Sequence, residues 1–346
     1  LAVFGLMVIT LFSFIACFGY VIAPDNTPDA NEQFSVLAMQ KPGFSIQMMK
    51  LRKEKEDSTS FVKSIFLGKE KDYQSIPIVS LEKSTSNVFQ VKEYKGKGFP
   101  AVQYEIESAT LFDENIKTKT FLLGTDNHGR DIFSRLIIGA RVSLLVGLVA
   151  VIISTFLGVV IGSVAGFFRG WVDKIVMWKM SVFWAIPTLL LSMALYISLK
   201  DFFDSAYIII FIAIGCTMWV SMARIVRGQI FSIREIQFVE AADSMGFSSF
   251  RTIFRHILPN IIGPVIVVAA ANFANAILIE AGLSFLGLGV QPPTPSWGGM
   301  LSEFKDFVGT DLSYLAFFPG ALIMLLVLSF NLVGNGIRDA IDVKNI

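Results

Sequence analysis

Charge and reactive side chains are scarce in this chain of 346 residues. Asp, Glu, Lys and Arg make up 16% of it and hydrophobic residues 53%, with two cysteines and two histidines. Together with a positive mean hydropathy, that balance lies well outside soluble proteins and marks a membrane protein. Cys17 and Cys216 fall in apolar runs, so no disulfide framework is expected and both read as small packing residues. No H-E-x-x-H pair, G-x-S-x-G elbow or G-x-x-x-x-G-K-[ST] phosphate loop occurs, which excludes the familiar metal, nucleophile and nucleotide motifs. The chain is therefore expected to be no enzyme, with no catalytic residues and no metal or cofactor of its own. Uphill transport by such a chain must draw its energy from another subunit or from an ion gradient.

Apolar runs long enough to cross a bilayer, about 20 residues each, occupy residues 1–22, 136–168, 175–199, 207–223, 261–283 and 315–333. Six spans are expected. Gly147, Gly158, Gly162 and Gly166 recur within the second, where small residues let helices approach closely in lipid. Basic residues of short loops collect on the cytoplasmic side. Arg169, Lys174, Lys179, Arg224, Arg227, Arg234, Arg251, Arg255, Arg338 and Lys344 share one side, whereas Lys200 and Lys305 lie on the other. Both termini and the loop 224–260 are thus expected in the cytoplasm, with His128 and His256 on opposite faces. Phe14-Ile15-Ala16-Cys17 loosely resembles a lipoprotein cleavage box, but no basic segment precedes it and five further spans favour an uncleaved first helix. The chain starts at Leu1 inside apolar sequence, as one beginning downstream of its natural start would.

Residues 24–123 have a different composition, holding 28 of the 57 charged residues in under a third of the length. They read as a water-exposed α+β domain between the first two spans, on the extracytoplasmic face. Segments 76–81, 88–91 and 101–106 are β-branched or aromatic and bounded by turn residues, as strands are. Residues 34–56 read as helical, with Lys and Glu interleaved. The charges of this region cancel, which gives no argument for a nucleic acid or an anionic surface as partner.

One cytoplasmic segment stands out: Glu240-Ala241-Ala242-Asp243-Ser244-Met245-Gly246, with Pro259 thirteen residues after the glycine. Residues 239–245 suit a short helix whose Ala241 and Ala242 leave little bulk, so it can lie close in a groove on a partner. Gly246 lets the backbone leave that helix in a left-handed conformation. A serine of the pair Ser248-Ser249 suits the N-cap of a second helix running to Ile257, and Pro259 stands where the fifth span begins. The alternative is an interfacial amphipathic helix with no partner.

Glu240-Ala241-Ala242, Gly246 and Leu258-Pro259 together resemble the EAA motif of permease subunits of binding-protein-dependent ABC importers. Leu123-Gly124-Thr125-Asp126-Asn127-His128-Gly129-Arg130-Asp131, Ser134-Arg135, Gly139-Ala140-Arg141-Val142-Ser143-Leu144 and the run from Glu280 to Pro293 resemble its dipeptide/oligopeptide branch. With Ile22-Ala23-Pro24-Asp25 they resemble the C-type member of the permease pair. The resemblance covers residues 1–25 and 121–346. It implies an all-α polytopic membrane protein of six transmembrane helices, the type I ABC importer permease fold, into which the α+β domain is inserted. Residues 1–23 are then the first transmembrane helix, 24–123 the extracytoplasmic insert and 124–346 a five-helix core with the coupling loop at 224–260. The implied setting is the bacterial cytoplasmic (inner) membrane. The implied partners are a homologous second permease, two cytoplasmic ATPase subunits that bind ATP and Mg, and an extracytoplasmic substrate-binding protein. Coupling to the ATPases would run through Glu240, Ala241, Ala242, Gly246, Leu258 and Pro259, and di- or oligopeptides would pass between the two permeases. Relatives by motif also serve nickel or glutathione. A gradient-driven secondary transporter is the alternative from another class; it predicts buried charges at the middle of several spans and inverted repeats, and neither is visible.

Glu280, Asn272 and Asn275 are the candidate pathway residues. Glu280 suits either the pathway or a structural pairing, because an ionisable group in a span needs a cavity or a partner. Asn272, Asn275, Asn331 and Asn335 suit either the pathway or helix–helix hydrogen bonds. Residues 290–299, with Pro292, Pro293, Pro295 and Trp297, read as a stiff interfacial loop. Residues 129–141 read as an amphipathic helix along the outer face with Arg130, Asp131, Arg135 and Arg141 solvated or meeting a binding protein. The family usually has an acidic residue six positions before the proline of its third span, where this chain has Ser181 ahead of Pro187, and His256 replaces an apolar residue of the broad EAA consensus.

Overall fold

The computed structural model describes residues 1–52, 61–83, 88–107 and 111–342. Among the described residues five helices carry stretches long and apolar enough to cross a bilayer: α1 (Ala2–Ile22), α3 (Ile132–Phe168), α6 (Ala206–Ile233), α9 (Ile262–Phe285) and α11 (Tyr314–Asp342). A sixth candidate is a bent pair, α4 (Gly170–Ala185) and α5 (Thr188–Leu199), whose axes meet at 94°. The third expected span is therefore broken, for a local reason. Ile186 (φ −97°, ψ 129°) and Pro187 (φ −54°, ψ 128°) are both extended, because proline disfavours the helical region for the residue before it and donates no amide.

Close packing in the bundle follows the small residues. A Cβ on Gly158 would lie 2.5 Å from Met222 Cβ, one on Gly162 2.4 Å from the Ala223 carbonyl, and one on Gly166 2.9 Å from the Arg227 carbonyl. The glycine stripe of α3 thus seats α6, as small residues do in lipid. Phe4, Leu11 and Phe14 face outward from α1. Cys17 is exposed on that helix and Cys216 half-buried, both as free thiols, so Cys17 does not pack inside as its setting suggested.

The region between α1 and α3 holds one antiparallel sheet. Its strands are β1 (Phe44–Arg52), β2 (Tyr73–Lys83), β3 (Val88–Glu93), β4 (Val102–Glu107) and β5 (Leu111–Phe121), in the order β4-β3-β2-β1-β5. A short helix, α2 (Phe61–Leu67), precedes β2. The three expected strands lie in β2, β3 and β4. The helical reading of 34–56 fails at 44–52, and residues 53–56 lie outside the described residues. β1 is paired on both sides, by β2 and β5, and its Met48 and Met49 feed separate apolar clusters, with Phe34, Leu37 and Phe121 and with Ile78 and Val91. That two-sided demand outweighs the weak helical preference of its Lys and Gln side chains.

Residues 24–40 strap this sheet to the start of α3. The amide of Phe34 donates to the His128 carbonyl (3.1 Å) and that of Met39 to Asp126 (3.0 Å). A Cβ on Gly129 (φ +74°) would sit 1.8 Å from the Phe34 carbonyl oxygen, so the strap passes only because glycine stands there. Beneath it the charges of 126–135 are buried. Arg130 Nε donates to Asp126 Oδ2 (2.6 Å) and its Nη2 to Glu303 Oε1 (2.9 Å), while Arg135 lies 3.6 Å from Asp126 and 3.8 Å from Glu303. Residues 129–141 are therefore no solvated interfacial helix: α3 starts at Ile132, capped by the Asp131 carboxylate, which accepts from the Ser134 amide (3.1 Å). Glu303 comes from α10 (Trp297–Phe304). Trp297, expected at the interface, is fully buried. Its indole N–H donates to the Leu136 carbonyl (2.9 Å), which lets so large a ring sit inside.

Candidate functional site

The EAA segment folds as its residues dictate. After α6, α7 (Gln237–Ser244) carries Glu240 and Ala241 on its exposed side, whereas Val239 and Ala242 are buried. Gly246 has φ +74° with nothing within 4 Å of where a Cβ would be, so its requirement is conformational, not steric. The Phe247 amide donates to the Ala242 carbonyl (3.1 Å), the six-to-one bond of a Schellman cap. Ser248 then caps α8 (Ser249–Arg251), and the chain continues as a π-helical turn over Thr252–Ile257 and a 3-10 turn over Leu258–Ile261 that contains Pro259. The second helix thus reaches Ile257, but with a widened turn that no sequence signal marked. Leu258 is half-buried and Pro259 exposed. His256 stacks on Phe247 (ring centroids 5.7 Å apart, planes at 9°), with the Arg251 guanidinium 4.1 Å from the same ring, so an imidazole fills the apolar place as an aromatic plate.

Two faces result. The inner one places Val239, Ile253, Ile257 and Ile261 against Phe167 at the end of α3 and Val226 and Ile230 of α6. On the outer one Phe238, Met245, Phe250 and Phe254 are exposed. Side chains that sequence reasoning missed brace the base. Arg227 grips Asp173 at the start of α4 through Nε (2.5 Å) and Nη2 (2.7 Å), Arg169 Nη2 donates to Glu235 (3.0 Å), and the Arg234 guanidinium donates to the Phe167 carbonyl. Their only signal was the positive charge of the loop.

Above this base the bend between α4 and α5 opens a cavity of about 470 Å³. Asn272 and Asn275 of α9 both line it, with Thr188, Thr217, Ser221 and Trp184 among its other walls. Asn272 Oδ1 accepts from Ser221 Oγ (3.2 Å), while its Nδ2 is buried without a partner among the described residues. The Arg224 guanidinium lies over the Trp184 ring at 3.3 Å, a cation–π contact that ties α6 to the end of α4. Ser181 is exposed and donates to the Met177 carbonyl (2.9 Å). Asn331 and Asn335 are exposed on α11 and lie outside the cavity walls.

Glu280 is elsewhere. It is fully buried where α9 meets the start of α10, accepts from Ser284 Oγ (2.9 Å), and its Oε2 would lie 3.1 Å from a Cβ on Gly298. The structure brings together Asn272 and Asn275 but not Glu280.

Comparison with known proteins gives the family. Residues 158–345 match the family model of the binding-protein-dependent transport system inner membrane component. The chain is 42% identical to a dipeptide transport system permease protein, DppC, of Alkalihalophilus pseudofirmus over 64% of its length and 71% of the relative's. It is 38% identical to the oligopeptide transport system permease protein OppC of Bacillus subtilis over 70% of its length and 78% of the relative's, and 39% identical to the glutathione transport system permease protein GsiD of Pectobacterium atrosepticum over 64% and 72%. Among solved structures, an inward-facing MetNI methionine ABC transporter shares the fold, with a TM-score of 0.50 at 16% identity over 60% of this chain and 97% of that one. With its several apolar helices the chain is a multi-pass membrane protein, and it belongs to the family of inner membrane components of binding-protein-dependent transport systems.

Proposed function

We propose that this chain is one half of the translocation pathway of an ATP-driven peptide importer, and that residues 237–261 transmit the movement of cytoplasmic ATPase subunits to the spans. The observation that carries the reading is the two-faced EAA segment. Its outer side exposes Phe238, Met245, Phe250 and Phe254, and its inner side is packed on the ends of α3 and α6. An exposed apolar patch on a short helix calls for a protein partner, and a push on it passes into the bundle through Val239, Ile253 and Ile257. The bent pair α4/α5 counts as one span, which gives six spans, both termini in the cytoplasm and the sheet of residues 24–123 outside. The remaining partners are a homologous permease and a substrate-binding protein, and ATP and Mg belong to the ATPases. The relatives named for dipeptides and oligopeptides support a peptide substrate. Asn272, whose donor in the cavity wall has no partner among the described residues, suits a peptide carbonyl. Glu280 acts as a buried seat for α10, outside the path.

Gly246→Val tests the reading. A β-branched residue at φ +74° costs about 1–2 kcal/mol locally and should re-aim the segment after α7. The reconstituted transporter is expected to lose at least about tenfold in uptake while its ATPase activity becomes insensitive to substrate, with the membrane bundle still folded. Unchanged uptake overturns the coupling assignment.

A further inference from the structure

A groove of about 530 Å³ runs between α1 and α3 and shares no residue with the Asn272 cavity. Ala16, Leu145, Leu148, Phe273 and Phe330 give it apolar walls, the last two stacked with ring centroids 3.9 Å apart. Leu145 and Leu148 are exposed, and α1 and α3 are both long and apolar enough to cross a bilayer. The groove therefore opens into lipid. One side chain breaks its apolar pattern: among the described residues, Arg141 is the single charged group in the wall.

The head of the groove is built around that arginine. Its Nη1 donates to the Phe66 carbonyl, and its guanidinium lies 5.9 Å from the Tyr20 ring centroid and 5.7 Å from that of Phe66. No carboxylate pairs with it among the described residues, although a guanidinium carries several further N–H donors. α2, which supplies Phe66, is fixed against the end of α1. The Lys69 amide donates to the Asn26 carbonyl (3.0 Å), and a Cβ on Gly68 (φ +77°) would lie 2.9 Å from Tyr20 Cε1. Arg141 thus stands beside Tyr20, in the last turn of α1, while Leu148 lies about 10 Å further along α3. A charge at the edge of an apolar span needs an anionic partner, and a guanidinium takes a phosphate through parallel N–H bonds. Lipid phosphate lies at that level with its chains directed inward. A solute without chains would leave the apolar walls uncovered, and a chain without phosphate would leave the guanidinium without its anion.

We propose that a phospholipid seats in this groove, its phosphate on Arg141 and one acyl chain running along the apolar walls to Phe273. The site does not depend on which solute the transporter carries. The full chain in detergent is titrated with dioleoylphosphatidylglycerol, with dioleoylglycerol, which has the chains alone, and with glycerol phosphate, which has the phosphate alone. Complexes are read by native mass spectrometry. The phospholipid should be retained at one per chain, dioleoylglycerol about tenfold more weakly for want of a charge-assisted hydrogen bond, and glycerol phosphate not at all. Arg141→Gln should lower the phospholipid to the level of dioleoylglycerol and leave the latter unchanged, whereas Arg141→Lys should keep the preference. Cys17→Trp, which fills the groove from an exposed position, should weaken both lipids alike. Because Cys17 is exposed, that variant folds even where an Arg141 substitution does not. Equal retention of the two lipids, absent binding or unaffected variants would overturn the proposal. Glycerol phosphate bound as tightly as the phospholipid would show a plain phosphate site, and loss of the lipid when a second permease assembles with the chain would show a subunit contact; either result also overturns it.

Discussion

The two ends of α3 are held by different physics. At its start, Asp126, Arg130, Arg135 and Glu303 form a buried cluster, and the Asp131 cap closes the helix. At its far end, Phe167 meets Val239, Ile253 and Ile257 through apolar contact, and the polar braces around it, Arg227 to Asp173 and Arg169 to Glu235, are partly exposed. Directional bonds between buried charges permit one geometry, since any displacement strands a charge away from water. Apolar contact has no direction, so a helix can shift over it at small cost. The charged end therefore resists displacement more than the apolar one, a contrast that the coupling proposed above requires.

Breaking the charged end should have the largest effect. Asp126→Ala leaves Arg130 and Arg135 buried without their shared carboxylate, and the expected loss is about 3–5 kcal/mol of unfolding free energy, read by chemical denaturation of the purified chain in detergent. A loss below about 1 kcal/mol would erase the contrast between the ends. Gly162→Leu tests the middle of the same helix. Its Cβ would already meet the Ala223 carbonyl at 2.4 Å, so α3 and α6 must part at an expected cost of about 1–3 kcal/mol.

The sheet offers a pH test. Burial raises the Glu32 carboxyl, but the charges and hydrogen bonds of Lys119 and Lys71 outweigh it and hold the group at about 2, below its ordinary 4.5. Because the folded value is the lower, this stabilisation is fully present above about pH 4.5 and is lost as the pH falls towards 2. Acid titration followed by near-ultraviolet dichroism should show a transition in that window, and Glu32→Gln should remove it. The smallest effect is expected toward the apolar end. Trp184→Ala deletes the cation–π contact with Arg224 at a cost of about 1 kcal/mol. It should alter uptake more than thermal stability, whereas a change confined to stability would make the contact a mere brace.

Local rules were legible wherever a few neighbouring residues decide the outcome. Gly246 adopts the left-handed conformation because its helix ends there, and Ser248 caps the next turn for the same reason. The break at Ile186-Pro187 lay in the sequence as a proline, but the 94° that it produces did not. Lys50 made β1 look helical because interleaved charge ignores the strands that later pair on both sides. Arg130 and Arg135 looked solvated because their partner Glu303 stands 173 and 168 positions away along the chain. Trp297 looked interfacial for want of any local sign that the Leu136 carbonyl would satisfy its N–H.

What the amino-acid order determined by itself is the set of apolar runs, the glycine stripe, the capped EAA segment and the motifs that mark the family. These rest on hydropathy and backbone sterics, which act within a turn or two of each residue. Tertiary structure alone decided which charges are buried, that Asn272 and Asn275 share a cavity without Glu280, and that Lys71 and Lys119 close on Glu32. Arg130 meets Glu303 and Lys119 meets Glu32 only once distant parts of the chain are brought together, and no short window along the sequence contains both members of either pair.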